Sequence, residues 1–416
     1  MIILAENVTE ACMRRLFRIK NLLLLLLLGA VVASVWYYNL SNRHKAIVKT
    51  ELLHAFRIID SDWEISRHSK KLKLESPELL VDNIYQSMDG PQAILNLNVN
   101  PNTSQIKWIT GFKAEVFKEG TTTHNNDFLC HTNIDFFDPI HYKNLNMPKR
   151  INRQYPRLGT LSNGINELKF PEGFGFPVAG NEKFIVASRT LNHNIKDAFF
   201  KVKHFIEFSL EDGEEPLKPL VPKALVLLQD YDRDDPYNPN TSKDPNLCTP
   251  IDLKNHSFTS KEGLNLAAHW VLPEGQHQYE FEVTYQLNLK EDTRIHAMAA
   301  HLHPHAQSFS IFDITENKTV YTFNCENYEE KIGLKKVPSY SSSEGIPLMA
   351  DHRYKLVLVT NNPSDGFRDM MAVLFVYVYD REMDEYLNRS KLTTSLLENI
   401  KTIDNRDLRK ERSYQD

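Results

Sequence analysis

The chain has 416 residues, 41% of them hydrophobic and 25% charged, with a formal net charge of -5. This length gives room for two ordinary cores. The basic residues are dispersed and form no stripe interleaved with aromatics, which excludes a nucleic-acid footprint, and the lack of a Gly-rich phosphate loop, a nucleophile elbow or a paired-carboxylate motif argues against kinase and hydrolase classes.

At the N-terminus, Arg14, Arg15, Arg18 and Lys20 precede an uncharged run over 22–40 that closes with Trp36-Tyr37-Tyr38. About 19 apolar residues rising 1.5 Å each cross a hydrocarbon core of roughly 30 Å. The basic flank stays on the cytoplasmic side. The reading is therefore a cytoplasmic basic segment over 1–20, a transmembrane signal anchor over 21–40, and an extracytoplasmic bulk, periplasmic or extracellular. Val31-Val32-Ala33 offers a signal-peptidase site, so a cleaved signal is the alternative. Cys12 falls on the cytoplasmic side, while Cys130, Cys248 and Cys325 lie where disulfides persist. One bridge between Cys248 and Cys325 and one free thiol is the simplest arithmetic. Asn102, Asn240, Asn255, Asn317 and Asn388 head glycosylation sequons that matter only in a host that modifies them.

Residues 41–75 read as an amphipathic helical stalk, with Ile47, Leu52, Leu53, Phe56 and Ile59 near helical spacing. From residue 94 the pattern changes to short alternating runs over 94–99, 106–117, 183–191, 202–210 and 224–229, punctuated by Asn-Pro and Gly. Residues 231–250, rich in Asp, Asn and Pro, read as a linker. Asp230 to Asp235 resembles a calcium loop but has neither the Gly nor the closing Glu of one, so a solvated linker is favoured. Strands resume over 264–272, 279–289, 297–314, 320–323, 354–360 and 371–379. The expected fold is all-β: two tandem antiparallel β-sandwich, jelly-roll-like domains over 76–240 and 241–382, then a mobile, charged helical tail over 383–416.

The stretch from Ile295 to Phe312 carries the first chemical signal. It reads as a strand that kinks at Pro304 and resumes. Residues two apart on an extended chain point to one side, so His301 and His303 project together, and His305 joins them if the kink allows. Imidazole suits copper, zinc, iron and nickel alike, and a polar strand face with satisfied histidines is the alternative. Soft or imidazole donors recur at Cys130-His131 and at His193. Met371 shares a strand face with Val373, Phe375 and Tyr377. A thioether prefers Cu(I), although core packing is the ordinary role of a single Met.

The order of these sites resembles the copper type II, ascorbate-dependent monooxygenases, the family of peptidylglycine α-hydroxylating monooxygenase and dopamine β-hydroxylase. The likeness covers roughly residues 80–380 and rests on order and spacing. Phe170 to Gly180 leading into Leu191-Asn192-His193-Asn194 is similar to the approach to the family's third first-site histidine. His301-Leu302-His303 and the turn Thr315-Glu316-Asn317-Lys318 match its His-x-His strand, and the segment from Met371 to Tyr379 its Met-bearing last strand. Gln86-Ser87-Met88-Asp89-Gly90-Pro91 and Ser343-Glu344-Gly345-Ile346-Pro347-Leu348 look like a bacterial branch.

The resemblance implies a monooxygenase that hydroxylates a C–H bond of a small molecule or peptide with O2 and ascorbate or another one-electron reductant. Two coppers are implied. One, on His301, His303 and Met371, would carry catalysis, and the other, near Cys130, His131 and His193, would pass electrons. Two departures stand out. Cys130-His131 replaces the family's His-His, with His124 as a distant substitute, and the pair could be His301/His303 or His303/His305. A thiolate at the first site would favour a second reading, a non-catalytic copper-binding or metal-handling protein on the same scaffold.

Overall fold

A computed structural model describes residues 2–213, 217–230, 257–259, 263, 265–366 and 368–389. Helix α1 spans Ile2–Tyr38. Its section Lys20–Tyr38, 19 residues of mean hydropathy 1.9 with none of it buried, is long and apolar enough to cross a membrane. Ser41 caps the next helix, α2, Asn42–Ala55. The stalk expected over 41–75 is helical only that far. Arg57 adopts φ 54° and the chain turns. Beyond it β1, Glu64–Arg67, and β2, Lys71–Glu75, form an antiparallel hairpin. Leu72 and Leu74 alternate with exposed lysines and are buried, and this two-residue period is what a half-buried strand requires.

The first sandwich contains β3, Gln92–Asn98; β4, Ile106–Lys118; β5, Leu129–Phe136; helix α3, Asp138–Asn144; β6, Arg157–Ser162; β7, Phe174–Ala179; β8, Lys183–Thr190; and β9, Phe200–Asp212. One sheet runs β3-β8-β5-β6, and the facing one runs β1-β2-β9-β4-β7. Leu97, Ile134, Phe184 and Val186 on the first sheet and Trp108, Phe112, Ile206 and Phe208 on the second supply the core. The hairpin at 64–75 therefore belongs to this sandwich, which begins earlier than residue 76.

The second sandwich is built from β10, Lys218–Val226; β11, His269–Leu272; β12, Gly275–Glu282; β13, Thr293–Leu302; β14, Ala306–Asp313; β15, Lys318–Asn324; β16, Tyr340–Leu348; β17, Tyr354–Asn362; and β18, Arg368–Tyr379. One sheet runs β12-β17-β14-β15, the other β10-β18-β13-β16, with β11 also pairing β18. A short parallel pairing, Lys218↔Phe174 and Pro219↔Gly175, joins β10 to β7. One twelve-stranded sheet thus crosses both sandwiches. Across the junction the buried Tyr377 hydroxyl donates to the Leu158 carbonyl at 2.6 Å.

Two further expectations change. The strand expected to kink and resume over 297–314 is two strands in two different sheets, β13 and β14. His303, Pro304 and His305 make the corner, where Pro304 offers no ladder donor and His305 takes φ 78°. The tail begins as helix α4, Arg381–Arg389, with Met383 and Leu387 buried, and Arg150 binds both Asp380 and Glu382. These first turns are docked, since burial and bonding, not position in the chain, set mobility, and the rest of the expected tail, 390–416, lies outside the described residues. Among the described residues Cys130 and Cys325 are free thiols. Cys248, the expected partner of Cys325, and the linker 231–250 lie outside the described residues.

Candidate metal centre

Strand β18 is the backbone of the site. Its residues Asp369, Met371, Val373, Phe375 and Tyr377 point to one face, toward the first sandwich, while Met370, Ala372, Leu374 and Val376 are buried on the other. Directly opposed residues of an antiparallel pair lie on the same face. His269 of β11 opposes Met371 from one side, and His301 of β13 opposes Val373 from the other. His303, at the corner, donates its backbone N–H to the Met371 carbonyl at 3.3 Å. The sheet therefore delivers three imidazoles, a carboxylate and a thioether to one patch.

Asp369 ties two of them together. Its Oδ2 lies 2.9 Å from His303 Nδ1 and its Oδ1 3.3 Å from His269 Nδ1. One ligand atom from each of the three residues falls within 4.8 Å of the others, and all three are buried. Burial alone would raise the Asp369 carboxyl, but His269 and His303 overcome it and hold the group well below the usual carboxylate range. The His303 and His301 rings are 5.5 Å apart, and His301 Nδ1 is buried without a hydrogen-bond partner among the described residues. Burial, followed by the charges of His303 and His269, pushes the His301 pKa well down, so the imidazole is neutral and able to bind a metal.

The first sandwich contributes the other wall. The His131 ring is 6.2 Å from that of His301. Cys130 Sγ lies 3.3 Å from His131 Nδ1. Burial raises the Cys130 thiol, and burial followed by Arg189 and His301 lowers His131. Arg189, opposite His131 in the β8–β5 register, donates to the Met88 carbonyl and to Gln92 Oε1. The loop 86–91 lies over the cluster. Ser87 Oγ is 3.4 Å from His303 Nε2, and burial pushes the Asp89 carboxyl up to about 7.

The two ligand sets expected to form separate copper centres, Cys130, His131 and His193 against His301, His303 and Met371, are thus brought together at His131 and His301, whose rings are 6.2 Å apart. The physical reason is the continuous sheet, which turns the β18 face onto the first sandwich. His193 is brought to the same side: burial and then the charge of His303 lower it to about 4, and its Nδ1 has no partner among the described residues. His305 lies past the corner, its N–H held by Asn327 Oδ1 at 2.8 Å, with Nε2 unpartnered among the described residues. Met371 is half-buried and packs beside Leu228, Leu266 and Ala268. His124 is elsewhere, against Phe117 and Glu115.

Two central residues escaped the sequence reading. Asp369 stood two positions before Met371, on the face that reading had already identified. His269 stood on an apolar run with no imidazole beside it in sequence, and its partner is 100 residues away.

No family model matches the chain, and no curated protein matches it. Among solved structures it is similar to PNGase F, a glycosylasparaginase from Flavobacterium meningosepticum, with TM-score 0.33 and 9% identity over 74% of this chain and 96% of that one. It is also similar to the STIV MCP, with TM-score 0.31 and 8% identity over 74% and 98%. Likeness at this level assigns no activity.

Proposed function

We propose that this chain is a membrane-anchored metalloprotein, its bulk extracytoplasmic, whose buried histidine cluster holds copper, and that it hydroxylates a C–H bond of a small molecule or peptide with O2 and an external one-electron reductant. One observation carries the metal: a single carboxylate, Asp369, engages the Nδ1 atoms of both His269 and His303. A carboxylate on one ring nitrogen sets the tautomer and aim of the other. The donor set fits the group. His301, whose ring lies 5.5 Å from that of His303, offers a buried Nδ1 with no hydrogen-bond partner among the described residues, and Met371, directly opposite His269, is a soft donor on the same strand face. Two histidines and a carboxylate also suit ferrous iron, so the resemblance, with the thioether, is what favours copper.

When bound, copper supplies the one-electron chemistry toward O2 that no side chain here can perform. The chain's own residues do the rest. Asp369 fixes imidazole orientation, the loop 86–91 covers the cluster, and Ser87 stands at His303 Nε2. Flanking apolar residues, Val373 and Phe375 among them, keep bulk water from the β18 face.

Copper handling without turnover is the second reading, favoured by the Cys130 thiol at 3.3 Å from His131. The test is metal content of the purified full chain after exposure to copper, zinc and ferrous iron, followed by ascorbate-driven O2 uptake. Bound copper, lost in His303→Ala, with O2 uptake supports the monooxygenase. Bound copper without uptake supports handling, and no retained metal overturns both.

A further inference from the structure

Helix α2 has two faces. The inner one is spoken for: Ala46 and Thr50 are buried, Lys49 Nζ lies 2.5 Å from Asp82 and 2.9 Å from the Tyr85 hydroxyl, and His54 Nε2 meets the Glu78 carbonyl at 2.9 Å. The outer one carries Val48, Leu52 and Phe56 at i, i+4 and i+8, a continuous apolar stripe. Leu52 is 51% exposed, Phe56 72% and Ile58, just past the helix, 65%. Single exposed apolar residues are ordinary, but a contiguous stripe of them marks a surface that meets something other than water.

The neighbour of this stripe identifies its occupant. Tyr37, from the aromatic end of the apolar helix, lines one open apolar hollow together with Leu52, Leu53, Phe56 and Ile58. Its hydroxyl donates to the Lys45 carbonyl at 3.4 Å, and Lys45 Nζ sits 5.5 Å over the Tyr38 ring. Three residues separate α1 from α2, so the start of α2 lies within about 15 Å of the end of α1. Aromatic residues closing a span sit at headgroup level. The stripe, sharing a wall with Tyr37, is at the same level.

We propose that α2 is an interfacial helix: Leu52, Phe56 and Ile58 insert into the headgroup and upper acyl region of the phospholipid layer in which α1 ends, with exposed Arg57 among the phosphates. The inner face, through Lys49, Asp82 and His54, then fixes the sandwiches against the bilayer. This rests on the membrane-spanning reading of α1 and is independent of the metal.

The test is photo-crosslinking of the full chain in vesicles of phosphatidylcholine and phosphatidylglycerol that include a diazirine-bearing phospholipid, with adducts mapped by peptide mass spectrometry. Lipid adducts are expected on 52–58 as well as on 22–38, several-fold above those on Phe199 and Tyr285, which are 81% and 65% exposed on the sandwiches. Adducts on 22–38 but not on 52–58, with the unmodified 52–58 peptide recovered, overturn the inference while leaving the span intact. Adducts on neither overturn both, and protein–protein crosslinks in place of lipid adducts at 52–58 assign the stripe to a second copy and overturn it too.

Discussion

His303 Nδ1 and Asp369 Oδ2 stand 2.9 Å apart, one at the corner between two sheets and the other near the start of the last long strand. The contact links the bend that Pro304 creates to the strand that carries Met371, so the position of an imidazole is set by a carboxylate 66 residues later (369 − 303).

Replacing Asp369 by Asn tests that link. An amide carries one acceptor oxygen where the carboxylate has two, so one of His269 and His303 loses its partner. Metal affinity of the Asp369→Asn protein should fall about 10–100-fold. Isothermal titration of the metal-free full chain measures it, and an unchanged affinity would remove Asp369 from the site.

The loop over the cluster depends on Gly90. A Cβ there would lie 2.0 Å from the Thr190 carbonyl oxygen and 2.9 Å from its carbon, both backbone atoms with no room to move. Gly90→Ala should cost about 1–3 kcal/mol, the usual range for overpacking. It should also shift Ser87 away from His303, so the melting temperature and metal affinity drop together. Differential scanning calorimetry alongside metal titration checks this, and a loss of stability with full affinity would place the loop outside the centre.

Away from the centre, His204 is buried between Ser188, at 2.7 Å from Nδ1, and Thr190, at 2.9 Å from Nε2. Burial depresses its pKa to about 3. The folded protein keeps it neutral while the unfolded chain takes up a proton below about 6.5. Its stabilisation is therefore complete above about pH 6.5 and lost progressively as the pH falls, by about 1.4 kcal/mol per unit. Urea unfolding of metal-free protein between pH 7 and 4.5 should show a slope shallower by that amount in His204→Gln. Equal slopes would mean that His204 is already solvated.

Burial raises both described free thiols, Cys325 to about 12 and Cys130 above its ordinary value. Thiolate is the reactive form, so neither should be alkylated quickly by iodoacetamide at pH 8 until the protein unfolds. Peptide mapping of labelled Cys130 and Cys325, native against denatured, reads this directly. Fast native labelling of Cys130 would show an accessible thiolate and favour a direct part in metal handling.

Sequence by itself determined the local features, because each is written in residues close together. The apolar run before Tyr38, the two-residue alternation in β4, β9 and β18, and the shared side of His301 and His303 all follow from geometry within one element. The hairpin at 64–75 was legible in principle from Lys71-Leu72-Lys73-Leu74, but the helical spacing just before it masked the change of period. Pro304 was seen as a break; that it moves the chain from one sheet to another depends on which strands pair, which local pattern does not encode.

Tertiary structure alone decided that His131 of one expected ligand set faces His301 of the other. The β7–β10 pairing joins two sheets into one and turns the β18 face toward the first sandwich, so His131 meets His301. His269 and Asp369 enter through cross-strand register, a relation between segments 100 residues apart. Periodicity states which side of its own strand a residue faces. What stands across from it is set by packing.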